Sequence, residues 1–232
     1  MDSADQDVAI GIIGCGNMGS FHAENMRAGK VPGARLAAVC DVVPDRLQAF
    51  PESPGWTDAS SMLAEADLDA VLIATPHYDH VPLGISALEA GVHVLVEKPI
   101  AVHKADAQRL IDAHQDPAQV FAAMFNQRTD PRYRWVRECI ENGTLGPVQR
   151  VSWTITDWFR TAIYYRNGDW RATWAGEGGG VLLNQCPHQL DLWQWLFGMP
   201  DRVHAHCHRS RFHEIEVEDD VTAYLEYDNG MH

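Results

Sequence analysis

Cysteine pairs, positive charge and long apolar runs are all in short supply in this 232-residue chain. The five cysteines, at positions 15, 40, 139, 186 and 207, are odd in number and show no Cys-x-x-Cys pairing. They fit reduced thiols in a cytoplasmic protein better than a disulfide framework. Lys and Arg number 18 against 32 Asp and Glu, a formal net charge of −14. That balance argues against nucleic acid or an anionic membrane surface as a partner. No apolar stretch approaches the length of a membrane span, and Met1 to Asp7 is acidic and polar, unlike a signal or transit peptide. Internal repeats and low-complexity linkers are also missing. What remains is the composition of an ordinary globular protein, with material for one large domain or two small ones.

The chain is organised around its first thirty-odd residues. Val8 to Ile13 is a β-branched apolar run, the pattern of a strand buried on both faces. Gly14, Gly16 and Gly19 then form G-x-G-x-x-G, and Phe21, Ala23 and Met26 follow at helical spacing. Gly14 permits a tight turn, Gly16 lets a pyrophosphate approach the backbone, and Gly19 lets helix and strand pack closely. The first-turn N–H groups, at Asn17 and Met18, face the phosphates with the positive end of the helix dipole. A second apolar run, Leu36 to Cys40, ends in Asp41, about 20 residues past the motif, as a dinucleotide fingerprint requires. Asp41 would accept from both ribose hydroxyls and repel a 2′-phosphate, so NAD is favoured over NADP. Arg46, close by, would stack on adenine or tolerate a 2′-phosphate, which keeps NADP open. The alternative is a glycine-rich turn in some other α/β protein.

Strands alternate with helices over the first ~125 residues, which predicts an α/β, doubly wound parallel sheet. Ligands in such sheets lie beyond the carboxyl ends of the strands. Gly14–Gly19, Asp41, Thr75-Pro76 to His80, Glu97-Lys98-Pro99 and Asn126 to Arg128 all fall at those ends. The expected domains are 1–127, binding NAD(P), and 128–232, binding substrate. In the second, the pattern predicts a helix over 132–142, an alternating strand over 147–158, an apolar helix over roughly 182–196, and strands over 202–209 and 220–227. Strands without βα alternation point to an α+β domain with a largely antiparallel sheet. Asp228-Asn-Gly230 is a hairpin signal with only Met231 and His232 after it. On that ground the sheet is expected to be incomplete at the C-terminus and the chain truncated.

Taken together, Gly14–Gly19, Asp41, Thr75-Pro-x-x-x-His80, Glu97-Lys98-Pro99 and Gly178-Gly-Gly-x-Leu-x-Asn-Gln-x-x-His188-x-x-Asp191 resemble the Gfo/Idh/MocA oxidoreductases, the family of glucose–fructose oxidoreductase and inositol dehydrogenase. The resemblance covers nearly the whole chain. It implies a Rossmann domain and an α/β domain whose open sheet covers the active site and often mediates homo-oligomers. Members usually continue into further strands of that sheet. The implied chemistry is hydride exchange between a nicotinamide ring and a carbinol carbon of a sugar, cyclitol or related polyol. The implied cofactor contacts are Gly14, Gly16, Asn17, Met18, Gly19, Asp41, Arg46, Thr75, Pro76, His80, Glu97, Lys98 and Asn126. Lys98 is similar to the family's catalytic lysine, where an ammonium stabilises developing alkoxide charge. Its alternative is a surface lysine at a strand end. His188 maps onto the catalytic histidine, or else is a hydrogen-bonded core residue. Many members carry Asp four residues before that histidine; here the position is Asn184, whose amide can orient a hydroxyl but cannot take up a proton. Asp191 would orient the imidazole or serve the helix.

The stretch before that helix holds Trp158, Arg160, Tyr164, Tyr165, Trp170, Arg171 and Trp174. Rings suit the C–H faces of a sugar, while Arg and Tyr bind its hydroxyls. Tyr164, Tyr165 and Arg171 are the favoured substrate contacts, with Lys98, Asn184 and His188; the alternative is a packed loop core. His204-x-His206-x-His208 would share one strand face, yet no clear fourth ligand stands near, so no metal is expected. A non-catalytic dinucleotide-binding protein is the competing function.

Overall fold

The computed structural model describes residues 7–156, 159–166, 168 and 170–232. The chain divides after Met124 into two compact units.

The first unit is a six-stranded, all-parallel sheet. Its elements in chain order are β1 (Val8–Ile13), α1 (Asn17–Arg27), β2 (Ala34–Cys40), α2 (Pro44–Leu47), β3 (Gly55–Trp56), α3 (Ala59–Glu65), β4 (Ala70–Ile73), α4 (His80–Glu89), β5 (His93–Val96), α5 (Lys104–Ala113) and β6 (Phe121–Ala123). The strand order is β3-β2-β1-β4-β5-β6. Register along the centre is tight, with Ile13 against Cys40 on one side and Ile73 on the other. Alternation along each strand sends side chains to opposite faces. Ile13, Val71, Ile73, Val94, Val96 and Leu110 pack one core layer. Ile12, Val39, Leu72, Ala23 and Phe50 pack the other. Burial on both faces is why these strands read as unbroken β-branched runs. The two-residue β3 carries too little pattern to be read from sequence.

The second unit holds α6 (Pro131–Glu141), α7 (Ala162–Arg166), a single π-helical turn (Val181–Gln185), α8 (Pro187–Phe197), β7 (Arg202–Arg209) and β8 (Glu218–Glu226). β7 and β8 pair antiparallel, Arg202 opposite Glu226. Helices α6 and α8 meet through Arg137, which bonds the Trp195 carbonyl and lies 4.7 Å over its ring. Trp193 Nε1 donates to the Tyr227 hydroxyl at 2.7 Å, tying α8 to the end of β8.

Two expectations need correcting here. The apolar helix over 182–196 is a π turn and a separate α-helix broken at Cys186. The extra residue appears as a Cys186 N–H bonded to the Val181 carbonyl, five residues back, at 2.7 Å. The 147–158 segment forms no strand ladder among its described residues. It is extended backbone bonded at Gln149 and Val151 to His232. The turn at 228–230 does form: Tyr227 N–H donates to the Met231 carbonyl at 3.1 Å, and Met231 is buried.

Candidate active site

In the first unit, the ends of β1, β2, β4 and β5 bring four of the expected clusters to one sheet edge. Gly14 sits at φ +94°, and a Cβ there would lie 2.8 Å from the Ala74 carbonyl carbon and oxygen. A Cβ on Gly19 would meet the Gly14 oxygen at 1.7 Å. Gly16 is the opposite case, because a Cβ there would meet nothing within 4 Å. The close approaches thus belong to Gly14 and Gly19, and open space lies before Gly16. Gly16 is also the N-cap of the eleven-residue α1 and has no side chain to cap it. Asn17, Met18 and Gly19 N–H groups have no intrahelical acceptor. Open space, uncapped N–H groups and a positive dipole end fit a dinucleotide pyrophosphate.

Asp41, 5% exposed, ties the neighbouring strand to this turn. Its Oδ2 accepts the Cys15 N–H at 2.8 Å and its Oδ1 the Val43 N–H at 2.8 Å. Arg46 Nη1 reaches both oxygens, at 3.3 and 3.2 Å. All four lone-pair directions of the carboxylate are therefore used by the chain itself. Asp41 offers a ribose hydroxyl an acceptor only when the half-exposed Arg46 swings aside, which refines the expectation that both its oxygens face the ribose. Burial, with Asp41 next to it, pushes the Cys15 thiol up to about 12; burial carries Cys40 to about 11. Both are protonated, unreactive thiols.

Beyond β4 and β5, Thr75 Oγ1 is buried with no hydrogen-bond partner among the described residues. Pro76 leads into a short 3-10 turn, His77–Asp79. His80 is 1% exposed, its Nδ1 2.7 Å from the Pro99 carbonyl and its Nε2 3.0 Å from that of Thr75. It braces the two loops internally, and burial pulls its pKa down. Glu97 accepts from His22 Nε2 at 2.8 Å and from the Lys98 N–H at 3.1 Å. Burial raises its pKa, but the His22 and Lys98 contacts outweigh that and hold it below the usual carboxylate range. Lys98, half-buried, follows directly and precedes a cis Pro99. His22 escaped the sequence reading, although it stands one helical turn past Gly19 on α1.

The second unit has its own cluster. Asn126, exposed, begins a 3-10 turn, Asn126–Thr129, and is placed with this unit rather than the first. His188, on the first turn of α8, meets the Phe125 ring edge-on at 6.1 Å. Asp191 is bound by Arg128 in a two-pronged pair at 2.7 and 2.5 Å, so its carboxylate secures α8 to the 3-10 turn. That pair answers the open choice for Asp191 in favour of the helix. Asn184 is buried on the π turn, and its amide bonds Glu177 and, at 3.2 Å, the Tyr164 hydroxyl. Arg171 donates to the same hydroxyl at 2.6 Å. Arg160 and Arg171 both lie 4.4 Å from the Tyr164 ring centroid, giving it a guanidinium partner twice over. Tyr165 packs edge-on against Tyr164 at 5.1 Å, and burial lifts its hydroxyl to about 12. Trp170 stacks with Arg171, whereas Trp174 is exposed. Trp158 lies outside the described residues.

Two buried carboxylates were missed. Glu177 is fully buried, and Glu218 Oε1 accepts from Gly180 and Leu182 N–H at 3.0 and 3.1 Å. Gly180 itself presses so close to β8 that a Cβ would lie 2.0 Å from the Glu218 carbonyl oxygen. Glu218 and Gly180 together shape the π turn that carries Asn184.

Residues 8–125 match the family described as "Oxidoreductase family, NAD-binding Rossmann fold". Residues 133–232 match the GFO/IDH/MocA C-terminal domain. The chain belongs to the GFO/IDH/MocA oxidoreductase family. A myo-inositol 2-dehydrogenase of Thermotoga maritima is 30% identical over 193 residues, covering 82% of this chain and 54% of that protein. The chain therefore spans about half the length of such relatives. Among solved structures, the WlbA dehydrogenase of Chromobacterium violaceum, in complex with NADH and UDP-GlcNAcA, is 29% identical with a TM-score of 0.86. It is matched over 98% of this chain and 66% of its own. The WlbA dehydrogenase of Bordetella pertussis, with the same two ligands, is 30% identical with a TM-score of 0.85, over 98% and 68%. The GFO/IDH/MocA N-terminal domain is NAD-binding by description, which agrees with the fit of the glycine turn to a dinucleotide. Among the described residues no helix is long and apolar enough to cross a membrane.

Proposed function

We propose that this family member is an NAD-dependent dehydrogenase or reductase acting on a carbinol carbon of a sugar, cyclitol or related polyol. The observation that carries the reading is the sheet edge where the open Gly16 cradle, Asp41, Thr75, Glu97 and Lys98 come together. Relatives named as inositol dehydrogenases and structures holding NADH with a nucleotide sugar support the same class. The first domain, 1–127, binds the cofactor and the second, 128–232, binds substrate.

Bound NAD supplies the hydride acceptor. The chain's part is to bind, orient and manage a proton. Uncapped N–H groups of α1 hold the pyrophosphate, and Asp41 selects an unphosphorylated ribose. Lys98, fixed beside Glu97, places positive charge where an alkoxide develops, and His188 relays the hydroxyl proton. Asn184, Tyr164, Tyr165 and Arg171 orient the polyol. NAD is preferred, with NADP accepted more weakly, because Arg46 offsets the Asp41 charge that would repel a 2′-phosphate. The protein works in the cytoplasm, and the β7–β8 ribbon, exposed along β7, serves self-association.

The second reading, a non-catalytic dinucleotide-binding protein, draws on Asn184, which takes up no proton. Titration calorimetry with NAD and NADP tests the cofactor half of the proposal: saturable NAD binding with weaker NADP binding is expected. Equal affinities would remove Asp41 as the selector, and no binding at all would overturn the reading.

A further inference from the structure

Glu177 is fully buried, yet no role for it follows from the motifs around it. Its Oε2 accepts the Ala172 N–H at 2.7 Å, and its Oε1 accepts from the Asn184 side-chain amide. Ala172 is one of two non-glycine residues at positive φ among those described, at +60°. Glu177 thus holds a backbone N–H in an unfavoured turn, directly after Arg171, whose guanidinium reaches the Tyr164 hydroxyl. The same carboxylate therefore fixes both Asn184 and the turn that aims Arg171 at Tyr164.

The polarity of this network follows from what each group can do. A carboxylate only accepts, so Asn184 must turn its NH2 group towards Glu177. The same nitrogen lies 3.2 Å from the Tyr164 hydroxyl, which takes its second proton. With both amide protons committed, Asn184 can meet any further group only as an acceptor, through Oδ1. We propose that Glu177 is a positioning residue that locks the Asn184 amide in its acceptor orientation. Asn184 then reproduces the accepting character of a carboxylate at its position, demands a hydroxyl donor from the substrate, and takes up no proton. The substrate part of this inference rests on the proposed function; the lock itself does not.

Glu177→Gln is the direct test, because glutamine cannot serve both partners. Whichever way its amide turns, the Ala172 N–H or the Asn184 amide in its wild-type orientation meets another donor, so the lock on that orientation is lost. Nitrogen-15 labelling of asparagine in the full chain, with Asn184→Asp to assign the signal, reads the amide without any substrate. The wild-type Asn184 protons are expected to be widely separated and slow to exchange. In Glu177→Gln their exchange should accelerate at least about tenfold, the loss of roughly one buried hydrogen bond. Tyr164→Phe removes only the second partner and should shift one proton of the pair, so the lock stays testable if Glu177→Gln folds poorly. With myo-inositol and NAD as probes, Glu177→Gln should raise KM about tenfold while kcat moves less, and NAD affinity should not change. Unchanged Asn184 resonances in a folded Glu177→Gln protein would overturn the proposal. Wild-type turnover of myo-inositol with KM unmoved by Glu177→Gln would overturn its substrate part. Absence of wild-type turnover would count against myo-inositol as substrate and leave the amide resonances to decide on Glu177.

Discussion

Replacing Gly16 with alanine separates folding from cofactor binding. Gly16 has φ −72° and ψ −164°, extended backbone that alanine adopts freely. Nothing lies within 4 Å of the new methyl, so no neighbour has to move. Removing a glycine also restricts the unfolded chain, which stabilises by about 0.4–1 kcal/mol. The variant should therefore melt at or slightly above the wild-type temperature. In the proposed binding mode, however, the methyl fills the space through which a pyrophosphate would reach the α1 N–H groups. Losing one or two hydrogen bonds to a charged group costs about 2–4 kcal/mol, a drop in NAD affinity from about 30-fold to several-hundred-fold. Gly19→Ala is the control. Its methyl would overlap the Gly14 oxygen at 1.7 Å, so it should lose about 3 kcal/mol of stability through forced backbone movement. Calorimetric titration with NAD and thermal unfolding measure both quantities on each variant. A Gly16→Ala protein that binds NAD like wild type would refute the placement of the pyrophosphate.

Three further outcomes follow from the same contacts. Arg46→Ala uncovers the Asp41 carboxylate; NADP affinity should fall relative to NAD by a factor of about 2–5, modest because the Arg46 side chain is half-exposed, as parallel titrations would show. Glu97 has its pKa held below the ordinary carboxylate value, so its contribution to stability is full above that value and lost as pH falls through the lowered one. The urea midpoint should therefore drop more between about pH 6 and about pH 3 in the wild type than in His22→Ala, where the main partner is gone. Asn184→Asp sets a second carboxylate against the buried Glu177, so stability at neutral pH should fall by about 2–4 kcal/mol and recover on acidification, when the pair shares a proton. Denaturation at the two pH values would contradict this if the loss were independent of pH.

The parallel sheet was readable because the central strands β1, β2, β4 and β5 are apolar runs largely buried by the fold. Val8–Ile13 stops directly at Gly14, whereas β2 and β5 run into the acidic residues Asp41 and Glu97, so a change from apolar to polar or glycine marks these strand ends. The strand over 202–209 coincides with β7 for a different reason: β7 is exposed along its whole length, and Val203, Ala205 and Cys207 alternate with histidines. What escaped depends on distant partners. The π turn keeps the apolar spacing of an α-helix, and its start is held by Glu218, 38 and 36 residues away in sequence, gripping Gly180 and Leu182. The 147–156 segment alternates like a strand, but alternation says nothing of a ladder partner, and only His232 supplies one among the described residues. Glu177 reads as a polar residue in a glycine-rich loop; nothing local reveals that Ala172 and Asn184 enclose its carboxylate. Asp41 follows directly on β2 as the apolar run to Cys40 implies, while its engagement with Cys15, Val43 and Arg46 is a property of the fold.

The central claim is that Lys98 serves hydride exchange at a carbinol carbon with NAD bound in the first unit. The most direct measurement is formation of NADH from NAD by wild type and Lys98→Met across a panel of cyclitols and sugars, with NAD affinity determined for both. Turnover by the wild type that falls by about a hundredfold or more in Lys98→Met, at unchanged NAD affinity, is the predicted result. Turnover that survives the substitution would contradict the assignment of Lys98, and NAD binding without turnover of any polyol would favour the non-catalytic reading.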